Sequence, residues 1–232
     1  MELCIFNKIE DDLCIKGILE KDNVIVLRNI IEFSETEGVT SSAIKEYVAT
    51  RLANDDNILS RLAQAGKFIG DDLYRLAKFD IEQIYKKLFS TQIKYAPSGN
   101  PIGFSNGYVA SIRAITESKS AQELLDLLIE HYRKFGSGIL AKYNAFRYDG
   151  ELIGVSNTDD ITFDSLVGIE YQKQVLIDNT KAFVIGKAAN NVLLFGDRGT
   201  GKSSSVKALL NMFCDDGLRI IEMPKHCIKD IP

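Results

Sequence analysis

Between Asn190 and Phe213 the sequence changes pattern twice within two dozen residues. Val192 to Phe195 is a continuous apolar run, Gly196-Asp197-Arg198-Gly199-Thr200-Gly201-Lys202-Ser203 is small and polar, and Val206, Leu209, Leu210 and Phe213 then recur at helical spacing. The order predicts a strand buried on both faces, a tight loop and a helix. The loop satisfies G-x-x-x-x-G-K-[ST] in full, a match expected by chance in roughly one chain in a hundred of this length at average residue frequencies. A glycine turn that only joined a strand to a helix would need neither a lysine nor a hydroxyl residue after it.

The chemistry that needs this spacing is phosphate binding. Glycines without Cβ let consecutive backbone N–H groups turn inward at the positive end of a helix dipole, where an anion is stabilised. On this reading Lys202 reaches the β and γ phosphates of a nucleoside triphosphate, and the Ser203 hydroxyl is the ligand for a bridging magnesium ion. The cofactor-binding residues are then Gly196, Asp197, Arg198, Gly199, Thr200, Gly201, Lys202, Ser203 and Ser204, with Ser205 on the helix surface. Arg198 lies inside the loop, which is not where arginine fingers sit, so it is expected to face solvent or a neighbouring element and is not assigned a catalytic role.

Upstream the pattern is mostly helical. Apolar residues recur at three and four in Ile44, Tyr47, Val48, Leu52 and in Ile81, Ile84, Tyr85, Leu88, which reads as core faces. Ser120 and Glu123 form an S-x-x-E capping box ahead of Leu124, Leu127, Leu128 and Phe135, and Gly136 stops that helix. His131 shares its face and is read as a satisfied, half-buried side chain without a role. The first 34 residues could be strand or helix. Tyr95 to Gly107, with two prolines and three glycines, is expected to be a connecting loop, and Tyr148 to Asp160 a hinge. The boundary falls near residue 150, dividing a helical region 1–150 from a nucleotide-binding region 151–232.

Bulk properties add limits. The formal net charge of −4 is spread over both halves and offers no basic groove, which argues against a nucleic-acid partner. No secretory start or membrane-length apolar run is visible, so the chain is expected in the cytoplasm without a membrane partner. Cys4, Cys14, Cys214 and Cys227 form neither a CxxC pair nor a disulfide framework. The neighbouring His226 and Cys227 carry no zinc expectation, because adjacent residues project in different directions and no further ligand lies at zinc spacing.

The segment Thr162 to Gly186 places Val167 and Gly168 before a helix with Leu176, Ile177, Thr180, Phe183 and Val184 on its apolar side. With the loop that follows, it resembles the AAA superfamily of ATPases. That resemblance implies an adenine contact from Val167, Gly168 and Ile169, and subunits that associate with their own kind. More narrowly, Leu166 to Met223 is similar to an uncharacterised bacterial family of predicted AAA-superfamily ATPases, domain of unknown function 815. The distinctive residues are Asn179, Thr180, Asn190, Asn191 and the Arg198-Gly199 pair. The family implies ATP binding and no known substrate; the magnesium expectation rests on Ser203 of the loop.

The fold class expected is α/β: a mostly helical N-terminal region, then the first part of a parallel AAA-type sheet, cut short after a second strand at Leu218 to Met223, itself preceded by a helix stop at Asp215-Asp216-Gly217. No apolar strand ending in a carboxylate follows residue 203, so the group that orients an attacking water is not identifiable. The chain is therefore expected to be part of a larger ATPase, with ATP binding here and hydrolysis only in the full-length parent. The rival expectation is a helical interaction or scaffolding module, binding a protein through its N-terminal helices, whose nucleotide site is regulatory or vestigial.

Overall fold

The structure, a computed structural model, describes residues 1–38, 42–89, 103–156 and 158–230. It is mixed α/β and divides into two compact units, Met1–Lys142 and Tyr143–Pro232. The division lies a little before residue 150, and the reason is local. Much of the stretch read as a hinge is a hydrogen-bonded hairpin, which belongs with the second unit.

The first unit is built from helices α1 (Leu13–Glu20), α2 (Asn23–Glu37), α3 (Ala43–Ala53), α4 (Ile58–Gln64), α5 (Asp71–Ile84), α6 (Asn106–Thr116), α7 (Ala121–Phe135) and the single turn α8 (Ile139–Lys142). Side chains cap most of them, as the sequence chemistry requires. Asp12 accepts from Ile15 N on α1, Asp22 from Val24 N and Ile25 N on α2, and Asn57 and Ser60 close a reciprocal capping box on α4. On α7, Ser120 accepts from Glu123 N as expected, but the Glu123 carboxylate takes the Lys119 N–H instead of that of Ser120.

One apolar core holds the unit together, with Phe6, Ile15, Leu52, Ile81, Leu124 and Tyr132 fully enclosed. The undecided N-terminal stretch is helical and docks through Asp80 of α5. That carboxylate is fully buried and accepts from Cys4 N, Ile5 N and Phe6 N at 2.6–3.1 Å. Three backbone donors that enter the core without a ladder are thereby satisfied. Of the loop expected over Tyr95 to Gly107, residues 95–102 lie outside the described residues. Asn106 and Gly107 are already helical, because Ser105 caps α6 from Tyr108 N.

His131 is more enclosed than half-buried, at 1% exposure. Its Nδ1 meets Ser111 Oγ at 2.9 Å, whereas Nε2 has no hydrogen-bond partner among the described residues. Burial pushes its pKa down to about 4, so the imidazole is neutral.

The second unit contains β1 (Ala145–Tyr148), β2 (Leu152–Gly154), α9 (Glu170–Val184), α10 (Lys202–Phe213) and β3 (Ile220–Glu222). The sheet order is β2-β1-β3, with β1 antiparallel to β2 and parallel to β3 through Ala145↔Ile220, Phe146↔Ile221 and Arg147↔Glu222. The strand expected at Leu218 to Met223 is thus present as β3. The helix stop is present too, with Gly217 at φ +97° after the turn Cys214–Asp216.

The strand expected at Val192 to Phe195 is not formed. The segment joins no ladder, and Val192, Leu193 and Phe195 are 51%, 83% and 88% exposed. An apolar run becomes a strand only when another strand lends it hydrogen bonds, and this segment pairs with none among the described residues. No helix among the described residues is long and apolar enough to cross a membrane.

Candidate phosphate-binding site

The loop Gly196 to Ser203 turns on glycines that occupy backbone space closed to most side chains. Gly196, Gly199 and Gly201 have φ of +141°, +81° and +80°. Gly201 is the N-cap of α10 with no side-chain cap bond, so the first turn of the helix opens straight onto the loop.

Lys202 begins α10 and folds back over the loop. Its Nζ donates to Gly196 O at 2.9 Å, Asp197 O at 2.6 Å and Thr200 Oγ1 at 3.2 Å, and Thr200 Oγ1 in turn donates to Asp197 O at 2.9 Å. All three oxygens that the ammonium meets are neutral. Asp197, Arg198, Gly199 and Thr200 are exposed, with the Arg198 side chain toward solvent as expected.

Ser203 is exposed, and it lines an open cavity of about 650 Å³ with Asp159, Val206, Leu210, Ile221 and Glu222. Ser204 is half-buried. Ser205, expected on the helix surface, is buried, and its hydroxyl donates to Gly201 O at 2.9 Å. A serine one turn into a helix satisfies the carbonyl four residues back whenever its neighbours exclude water. The rest of α10 is tied to the preceding segment: Lys207 pairs with Asp159, and Asn211 donates to Asp159 O and Ile161 O at 2.9 and 2.8 Å.

The segment expected at the base does approach the loop, through Ile169 as expected but with Leu166 in place of Val167. A Cβ on Gly201 would lie 3.7 Å from Leu166 Cδ2 and 3.9 Å from Ile169 Cδ1, whereas Val167 points away at 87% exposure. Gly168, at φ +83°, makes the bend that lets Leu166 and Ile169 both face the loop. Leu166 is the contact that sequence reasoning passed over, since apolar character alone does not tell which residue of Leu-Val-Gly-Ile turns inward.

Asn179 on α9 clasps the backbone of Asn190, donating to its carbonyl at 2.9 Å and accepting from its N–H at 2.8 Å. Two residues that stood out in the sequence thus form one contact, which anchors the run leading into the loop. Residues 141–232 match the family described as a protein of unknown function (DUF815). The matched stretch begins at α8 and covers the second unit, including the loop, α9 and the Asn179–Asn190 clasp. No curated protein and no solved structure matches the chain.

A second group of side chains meets in the same unit. Asp149, His226 and Cys227 place a carboxylate oxygen, a ring nitrogen and a sulfur within 4.8 Å of one another. Sequence reading set the neighbouring His226 and Cys227 aside for want of a third ligand; Asp149 lies far upstream and is brought to them by strand pairing.

Proposed function

We propose that the chain binds a nucleoside triphosphate with magnesium, ATP in the first instance, through Gly196 to Ser204, as part of an ATPase of the AAA type. The observation that carries the reading is the loop itself. Three glycines at positive φ, an ammonium whose partners among the described residues are neutral oxygens, and the open N-terminal turn of a twelve-residue helix come together at Gly196 to Ser203. A polyanion is the ligand that such a collection of donors and dipoles stabilises best. Lys202 supplies the cation for the β and γ phosphates, and exposed Ser203 supplies the hydroxyl for magnesium. Leu166 and Ile169 supply an apolar wall beside the loop, a fitting surface for a base.

Calorimetric titration with a non-hydrolysable ATP analogue and magnesium tests the reading, with GTP as competitor and Lys202→Ala alongside. Loss of one charge-assisted contact worth about 2 kcal/mol weakens binding by about 30-fold. Equal affinity in the variant, with the fold intact by circular dichroism, would refute it.

One observation favours a second reading, a helical interaction module with a regulatory or vestigial nucleotide site. On α2, Val24, Leu27 and Ile31 are 78%, 38% and 44% exposed at helical spacing, an apolar stripe suited to a protein partner. Absence of any nucleotide binding by the folded chain would leave that reading as the better one.

A further inference from the structure

We propose that Asp149, His226 and Cys227 bind a divalent ion of the zinc class at the end of the sheet, a site independent of the phosphate loop. The fold explains why these residues meet. β1 and β3 run parallel, with Arg147 paired to Glu222, so both strands deliver their following residues to the same end. After β1 the chain turns at Asp149 and Gly150, with Gly150 at φ +78° and Asp149 N donating to Glu151 O. After β3 it enters a 3₁₀ turn, Lys225–Asp230, with Cys227 N donating to Pro224 O. Adjacent residues of a 3₁₀ turn stand about 120° apart, and the Asp149 carboxylate lies within 4.8 Å of both the His226 ring and the Cys227 sulfur.

The three donors are chemically matched. Thiolate and imidazole together select zinc over magnesium or calcium, and a carboxylate completes a three-ligand set whose fourth position stays open for water or another ligand. Around a tetrahedral zinc the donor atoms stand about 3.4–3.6 Å apart, given the usual bond lengths of 2.0–2.3 Å. Asp149 Oδ1 and the His226 ring are 4.0 Å apart, and the three atoms all lie within 4.8 Å. Closing the set needs a movement of about an ångström. The two side chains that must move are free to do so, at 71% exposure for Asp149 and 75% for His226, whereas Cys227 is held at 5%. As an ion pair alone, exposed Asp149 and His226 would contribute little, and that pair has no need of a sulfur beside it.

Cobalt(II) titration of the reduced full chain, free of nucleotide, tests the proposal. One equivalent is expected to produce tetrahedral d–d absorption with a sulfur-to-cobalt charge-transfer band, and zinc is expected to displace it. Cys227→Ser removes the charge-transfer band. Asp149→Asn and His226→Gln, both at exposed positions where folding is not at risk, weaken binding by about 10-fold or more. Ser203→Ala and Cys214→Ser leave the signal unchanged. No band in the wild-type chain overturns the proposal. So does a band that survives Cys227→Ser, or one that Asp149→Asn and His226→Gln leave at wild-type affinity.

Discussion

Gly201→Ala separates backbone conformation from side-chain contact at the Gly196–Ser203 loop. Gly201 sits at φ +80°, ψ +8°, in the left-handed region, and a Cβ there would meet Leu166 and Ile169 at 3.7 and 3.9 Å, ordinary contact distances. The cost of the substitution is therefore conformational, about 1–2 kcal/mol for an L-residue in that region. If nucleotide binding requires the loop as it is folded here, the same energy appears as a 5- to 30-fold rise in Kd. Asparagine tolerates the left-handed region better than alanine, so Gly201→Asn is expected to bind more tightly than Gly201→Ala although its side chain is larger. Calorimetric titration of the three proteins with the ATP analogue and magnesium reads the order directly. Wild-type affinity in the alanine variant would refute the claim that the positive φ matters. An asparagine variant weaker than alanine would show that bulk, rather than φ, controls the loop.

Three further outcomes follow from the same geometry. Because burial holds the His131 pKa at about 4 against an ordinary 6.5, the unfolded chain binds a proton that the folded chain refuses between those pH values. Stability is expected to fall by about 1.4 kcal/mol per pH unit on acidification through that window, and urea unfolding of His131→Leu at pH 7.5 and 5 should lack this part of the slope. Asp80→Ala strands three backbone N–H groups and is expected to cost about 3–5 kcal/mol, while Asp80→Asn, which keeps one acceptor, costs less; equal urea midpoints for the two variants would contradict the account. Asn179→Ala removes both hydrogen bonds to Asn190, and amide exchange at Asn190 should quicken by about 30-fold, given about 1 kcal/mol for each of the two exposed bonds; unchanged exchange would mean that the clasp holds nothing.

Sequence periodicity located the N-terminal helices because their code is local. Ser120, Leu124, Leu128 and Gly136 sit within a few turns of one another, and each position carries its own capping or packing preference. The loop was legible for a similar reason: Gly196, Gly199 and Gly201 announce their positive φ by residue type, and Lys202 follows at fixed spacing. What was not legible depends on partners remote in the chain. Asp80 reaching Cys4 to Phe6, and Asp149 reaching His226 and Cys227, are set by which elements pack or pair, and no window of a dozen residues contains both ends.

Val192 to Phe195 shows the same limit from the other side. Its composition states a preference for burial, and that preference is a property of the side chains alone. Strand formation is a property of pairs, since every ladder hydrogen bond needs a second backbone. In the second unit β1 joins β2 on one side and β3 on the other. Leu193 and Phe195 pair with no strand among the described residues and stand more than four-fifths exposed, between the Asn179 clasp on Asn190 and a loop held by Lys202 and by the Ser205 hydroxyl on Gly201. The loop's own hydrogen bonds join residues within Gly196 to Ser205, and the clasp joins Asn179 to Asn190 ahead of it. For that reason substitutions at Gly201, Lys202 and Asn179 report on the site itself, without first disturbing a sheet.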